Sequence, residues 1–379
     1  MQTSPEQSRW REQARAFAEE IKPTVDPLER KAEFPLEHMK RLGKLGLLGV
    51  AYPKEYGGQG ADTFSMILCV EEITKVWASL GLSIGAHMLG MFPILCAGTE
   101  SQKKKYLTPL VLGEKLGAFG LTEPGSGSDA GGGQTVAEKT ENGFVINGKK
   151  IFTTSATYAS TYIVSAISDK SLGKKGISAF IVERDCSGLA IAKKEQKLGL
   201  WASDTAGLIL DSCRVPLENI LGEPGKGFHV FLQTLDAGRL GIAGWCYGIA
   251  DAAFESLLTW AKETGIKTGL MENYEYAGGA LAELATQLEA AQGLIRNACQ
   301  VKDAGQSYTK QASMAKYFAS KVAVAACDVA LKLIGYEALT TRLPVERFFR
   351  DAKLGTIGEG TSEIQKLVIA REVLKEAAA

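Results

Sequence analysis

The feature that most limits what this chain can fold into is that its hydrophobic period changes twice. From Ser4 to about Gly113 apolar residues recur at helical spacing, with Trp10, Ala14, Phe17, Ala18 and Ile21 on one stripe. Ser4-Pro5 supplies an N-cap and a first-turn proline for that helix. Phe64 to Val76 repeats the pattern, Gly81 to Gly90 reads as a buried helix, and Pro53 to Gly60 is a turn cluster between helices. From Leu116 to about Gly222 the texture becomes short β-rich runs separated by turns. Phe144-Val145-Ile146 is followed by Asn147-Gly148, which predicts a hairpin turn before a second strand at Lys149 to Thr154. Tyr162 to Ile167, Ile177 to Val182 and Gly207 to Leu210 read as further strands, in a small antiparallel sandwich or barrel. The helical period returns at Gly227 and holds through Gly238–Ala261, Ala280–Val301, Lys310–Leu333 and Thr361–Glu376. The expected architecture is a multidomain α+β chain: a helical domain over 1–115, an antiparallel β domain over 116–225 and a four-helix bundle over 226–379.

Length and charge narrow the function classes. A chain of 379 residues suggests two or three structural units with a sizeable core. The 43 Lys and Arg balance 43 Asp and Glu, leaving no long-range field to steer a polyanion, so nucleic-acid binding is disfavoured. Seven scattered cysteines with no Cys-x-x-Cys fit reduced thiols, and the three histidines have no ligand spacing, so no metal site is expected. The polar N-terminus lacks a signal-peptide core, and no apolar run is expected to reach the roughly 20 residues that span a bilayer. Together these predict a soluble cytoplasmic protein without membrane attachment.

Two glycine-rich stretches invite a phosphate-binding reading. Gly125-Ser126-Gly127-Ser128-Asp129-Ala130 matches G-x-G-x-x-G/A, but that motif works only where a helix starts inside it. Gly131-Gly132-Gly133 and a strand-like Gln134 to Glu138 follow instead, so a dinucleotide fold is ruled against. A loop whose N–H groups and hydroxyls cup an anion, or a plain hairpin loop, both remain open. Gly222 to Gly227 is too short for a P-loop and reads as the turn into the last helical region. In Gly358-Glu359-Gly360-Thr361 a carboxylate sits between two flexible residues ahead of a helix start. That is either a capped helix or a base aimed into a cavity.

Four stretches taken in order carry a resemblance: Phe119 to Asp129, Asn147 to Thr154, Leu235-Asp236-Ala237-Gly238-Arg239, and Pro344 to Gln365. With the α–β–α order, the chain resembles an acyl-CoA dehydrogenase over nearly its whole length. The resemblance implies that FAD lies between the β domain and the bundle with a CoA thioester beside it. It places Phe119, Leu121, Thr122, Gly127 and Ser128 at the cofactor, with Phe152 and Thr154 flanking the isoalloxazine. Gly360, Thr361 and Glu363 would meet the nucleotide half of FAD, and Ser128, Asp236 and Arg239 the CoA arm. Glu359 matches the base that removes the α-proton while a hydride leaves the β-carbon for flavin N5, giving a 2-enoyl-CoA or, in reverse, reducing one. Electrons would pass to an electron-transfer flavoprotein, from a homotetramer or from a hetero-oligomer with a related subunit.

The chain departs from the family pattern where a neighbouring subunit usually touches FAD. Thr264 stands at the usual arginine, Glu275 at the usual glutamine and Lys332 at the first residue of the Gln-x-x-Gly-Gly segment, while Gly358 replaces the aromatic before the base. Losing an arginine on a pyrophosphate removes charge-assisted bonds worth on the order of 1.5–3 kcal/mol each. Two alternatives to the flavin dehydrogenase therefore stay open at this point. One is an acyl-CoA-binding enzyme doing non-oxidative α-carbon chemistry with weak or no FAD, and the other is a half-site subunit of a hetero-oligomer. The floor of the acyl cavity is expected around Ser83–Phe92 and Trp245–Ile249, with Trp245, Tyr247, Met88 and Met91 as bulky candidates.

Overall fold

A computed structural model describes residues 3–263 and 277–378, together with the backbone course of the helix that begins at Met271. The first helical region contains α1 (Pro5–Lys31), α2 (Leu36–Lys44), α3 (Thr63–Val76) and α4 (Ala78–Ala97), then the short α5 (Glu100–Gln102) and α6 (Thr108–Val111). Ser4 caps α1 reciprocally with Gln7: the Gln7 N–H donates to Ser4 Oγ at 3.1 Å and the Ser4 N–H to Gln7 Oε1 at 3.0 Å. The expected stripe from Trp10 to Ile21 is buried.

The helix α4 corrects one expectation. It is 20 residues long and apolar enough, by length and composition, to cross a membrane. It is lined with core residues instead, packing on α3, on the first strand and on the long helix that opens the bundle. A central helix covered on several sides has no need of a polar face.

Eight strands follow: β1 (Gly117–Gly120), β2 (Val136–Thr140), β3 (Gly143–Thr154), β4 (Thr161–Ile167), β5 (Ile177–Glu183), β6 (Leu189–Ile191), β7 (Thr205–Pro216) and β8 (Ile220–Leu221). They form one sheet in the order β6-β7-β3-β2-β4-β5-β8, with β1 parallel to β4 beside this path. The ladders are antiparallel except at β1–β4 and at one β2–β4 pair. Core packs on both sides of β4 and β5, so these strands are buried nearly end to end rather than in alternation.

The hairpin expected at Asn147-Gly148 is not there. β3 runs straight through it, and the turn joining β2 to β3 falls at Glu141-Asn142. Asn147 and Gly148 form a bulge against β7, where Asn147 Oδ1 accepts from the Ser212 N–H at 2.7 Å. Gly148 is glycine because Thr135 lies against it: a Cβ there would stand 2.3 Å from Thr135 Oγ1.

The last region contains α7 (Gly227–Glu263), α8 (Met271–Asp303), α9 (Thr309–Ile334), α10 (Val345–Ala352) and α11 (Ser362–Ala378). α7, α8 and α9 pack on one another, and α10 and α11 close on α9. α7 also packs on α3, α4 and β5, so the helical regions and the sheet meet along it. That seam holds the site.

Candidate active site

A cavity of about 510 Å³ opens between α3, α4, the β1–β3 end of the sheet, α7 and the turn before α11. The loop after β1 forms one wall. Glu123 is buried there, and its carboxylate accepts from the Gln134 N–H at 2.6 Å and from Lys150 Nζ at 2.6 Å. Lys150, 1% exposed, also donates to Ser165 Oγ at 2.8 Å and Leu121 O at 3.4 Å. This ion pair ties the 121–135 loop to β3 and β4. No helix starts in that loop, as its sequence implied; it turns back on itself through a Glu123–Ser126 bridge. Cβ atoms built on Gly125 and Gly127 would meet nothing within 4 Å, so the loop faces open space.

Of the residues singled out from sequence, Phe119, Leu121, Thr122, Gly127, Ser128, Phe152, Thr154, Arg239, Glu359 and Gly360 line this one cavity. Asp236, Thr361 and Glu363 do not. Asp236 accepts from Arg239 Nη1 at 2.5 Å and from Thr309 Oγ1 at 2.6 Å, behind the wall. Thr361 caps α11, its Oγ1 accepting the Ile364 N–H at 3.3 Å, and Glu363 is exposed on that helix. Thr264 lies outside the described residues, as does the side chain of Glu275 in α8. Lys332 on α9 pairs with Asp328 Oδ2 at 2.6 Å. On the expected floor, Met88 lines the cavity with Leu82, Gly85, Ala86 and Leu89. Met91, Trp245 and Tyr247 are buried in the surrounding core instead. Trp245 packs against the start of α4, donating Nε1–H to Ala78 O at 2.8 Å.

Among the described residues that line the cavity, Glu359 is the one carboxylate with a buried oxygen that has no hydrogen-bond partner. Burial pushes its carboxyl up to about 7, against the pull of Arg239 and Lys316. It sits in the left-handed region at φ 55°, followed by Gly360 at φ 91°. Gln365 locks this turn, its Nε2 donating to Glu359 O and Gly360 O at 3.0 Å each. On the facing helix the carboxylate needs Gly238, where a Cβ would stand 2.8 Å from Glu359 Oε2. Sequence reasoning assigned no role to Gly238, Gln365 or Lys316. A glycine deep inside a 37-residue helix and a lysine among alanines on α9 were the signals available.

The site also fits the shape of a flat, anionic cofactor. Phe152 is held at φ 55° and leaves its ring 62% exposed at the cavity wall. A buried carboxyl of raised proton affinity, beside an exposed aromatic and an open glycine loop, marks this cavity as the candidate active site.

The comparisons agree along the whole chain. Family models described as acyl-CoA dehydrogenase N-terminal, middle and C-terminal domain match residues 4–114, 118–213 and 225–374. The Bacillus subtilis protein "Probable acyl-CoA dehydrogenase YngJ" is 46% identical over 98% of both chains. Butyryl-CoA dehydrogenase from Megasphaera elsdenii superimposes with a TM-score of 0.95 at 39% identity over 99% of both. A solved chain reported under "Electron transferring flavoprotein of Acidaminococcus fermentans" does so with a TM-score of 0.95 at 38%, again over 99% of both. The chain belongs to the acyl-CoA dehydrogenase family. Its chemistry is dehydrogenation of an acyl-CoA thioester, an oxidoreduction of a CH–CH bond.

Proposed function

We propose that this chain converts a short acyl-CoA to its 2-enoyl-CoA with Glu359 as the α-proton base and FAD as the resident cofactor. The observation that carries the base assignment is the buried, unsatisfied Oε2 of Glu359 in the cavity wall. A desolvated carboxylate is a stronger base than one in water, which suits it to an α-proton made acidic by the thioester. As that C–H bond breaks, negative charge develops on the thioester oxygen. The Glu359 backbone N–H, which has no acceptor among the described residues, is available to receive it. Arg239 and Ser128 line the path on which the CoA arm would lie, with Asp236 fixing Arg239 from behind.

FAD would be held by Phe119, Leu121, Thr122, Gly127 and Ser128, with Phe152 and Thr154 along its ring and Gly360, Thr361 and Glu363 toward its nucleotide half. When bound, it supplies the acceptor for the hydride that leaves the β-carbon. The name of the M. elsdenii relative supports a short acyl group. Exposed apolar side chains on the bundle, Tyr336, Leu339, Leu367 and Leu374, support assembly of further copies into a homotetramer. An electron-transfer flavoprotein is the partner that would reoxidise the enzyme, in the cytoplasm. The division into units at 116 and 226 belongs to the same reading.

The test is an absorbance scan of the purified protein followed by anaerobic addition of butyryl-CoA. Near-stoichiometric flavin that bleaches with butyryl-CoA, and no bleaching in Glu359→Gln, is expected. Protein that takes up no flavin, or a Glu359→Gln variant that bleaches at the normal rate, would overturn the proposal.

A further inference from the structure

The turn that carries Glu359 rests on a buried lysine to which the chemistry above gives no part. Lys316 lies on the inner face of α9 among Ala312, Ala315 and Ala319, and is 0% exposed. Its Nζ donates to Gly360 O at 2.5 Å, the one bond it makes among the described residues. Burying an ammonium without a paired carboxylate is costly, so an apolar side chain would serve packing better here. The same carbonyl is held by Gln365 from α11, so two donors from two helices converge on a two-residue left-handed turn. Such a turn persists only where its surroundings fix it.

Two cations face the Glu359 carboxylate. Arg239 comes from α7, but Asp236 already pairs with it at 2.5 Å. Lys316 comes from α9, and its ionisable neighbours besides Arg239 and Glu359 are the buried Cys246 thiol and the exposed Glu363. From α4, Leu89 Cδ2 lies against the same Gly238 position as the carboxylate. Burial drives Glu359 toward its neutral form, and these two cations oppose it. Of the two, Lys316 is the one with no carboxylate bonded to it.

We propose that Lys316 is a positioning residue for the base: it anchors the Gly360 carbonyl and its charge favours the carboxylate form of Glu359 in the cavity. The inference rests on Glu359 being the base. Its two parts separate by variant. Lys316→Met removes the charge and the lysine's anchor, Lys316→Gln removes the charge and keeps a donor toward the Gly360 carbonyl, and Gln365→Leu removes the other anchor and leaves the charge in place.

The experiment is the pH profile of kcat/KM for butyryl-CoA, from pH 5.5 to 9.5, on flavin-loaded wild type, Lys316→Met, Lys316→Gln, Gln365→Leu and Glu359→Gln. Flavin content and melting temperature serve as fold controls. Loss of a nearby cation moves the acid limb of both lysine variants up by about one pH unit. With a wild-type midpoint near the value of about 7 set by burial, that is about a fivefold loss at neutral pH; it disappears at the alkaline end in Lys316→Gln, while Lys316→Met keeps there the uniform loss of its missing anchor. Gln365→Leu should lose activity by the same factor at every pH, with its limb unmoved. A limb at the wild-type position in whichever lysine variant folds, with or without a uniform loss, would sink the inference. If Glu359→Gln itself turns over, the base assignment has failed instead.

Discussion

Replacing Glu359 by glutamine should make the protein more stable and inactive at once, and only above a certain pH. Burial raises the Glu359 carboxyl from 4.5 to about 7. A carboxyl raised on folding binds more protons in the folded than in the unfolded state between those two values, so stability falls as pH rises through that window. Above it the penalty is constant. Each tenfold rise in proton affinity corresponds to about 1.4 kcal/mol, which puts the full penalty at roughly 3 kcal/mol. Glutamine fills nearly the same volume and does not titrate, so its other effects are a pH-independent offset. The gap between variant and wild type should therefore widen by roughly 3 kcal/mol from pH 4.5 to pH 8. At an unfolding entropy of about 2.1 cal/mol/K per residue, a chain of this length gains about 3–4 °C in melting temperature. Scanning calorimetry of both proteins at closely spaced pH values reads this directly, beside a turnover loss of about 10²–10⁴-fold for removal of a general base. A melting difference that stays flat across this range would show that Glu359 titrates like an exposed glutamate. The burial account of the base would then be wrong.

Other substitutions probe the walls. Lys150→Met strands the buried Glu123 carboxylate in the loop after β1 and should cost about 3–5 kcal/mol in urea unfolding, with Glu123→Gln in the same chain recovering much of it; independent, additive losses would refute the pairing. Phe152→Ala should leave the stability of flavin-free protein within about 0.5 kcal/mol, because the ring is 62% exposed, while weakening FAD about tenfold or more by fluorescence titration. Unchanged FAD affinity would remove Phe152 from the cofactor site. Gly238→Ala should gain up to about 1 kcal/mol of helix propensity yet lower kcat at least tenfold, since the new Cβ meets Glu359 Oε2 and Leu89 Cδ2 at 2.8 and 2.7 Å. An unimpaired kcat would mean that the carboxylate has room to move.

What could be read from the sequence is what depends on period. The stripe from Trp10 to Ile21 and the α9 pattern from Lys310 to Leu333 both point at cores they reach in the fold. The strands at Tyr162 and Ile177 were equally plain, because a strand covered on both faces is a continuous apolar run. Asn147-Gly148 misled because local turn chemistry and close backbone approach select the same residue. Only the position of Thr135 in space decides between them. The acyl floor was misjudged for a related reason: Trp245 is large and near in sequence, yet its indole N–H is taken by Ala78 O at the start of α4 and the ring is buried in the core instead of lining the cavity.

The base shows most clearly where sequence stops being informative. Gly358-Glu359-Gly360 is a flexible triplet in one dimension, and a capped helix start explained it as well as a catalytic turn did. Three residues from elsewhere bear on that choice. Gly238, which is 121 positions earlier by number, leaves room for the carboxylate. Gln365 and Lys316 hold its backbone from two helices. None of the three is chemically unusual as a residue type. A helical wheel does place Lys316 on the face of Ala312, Ala315, Ala319 and Ala323, where a charge has no reason to be unless something buried requires it. A charged residue on an otherwise apolar stripe is thus a sequence-level pointer to a buried functional group. Here it points to the Gly360 carbonyl, next to Glu359.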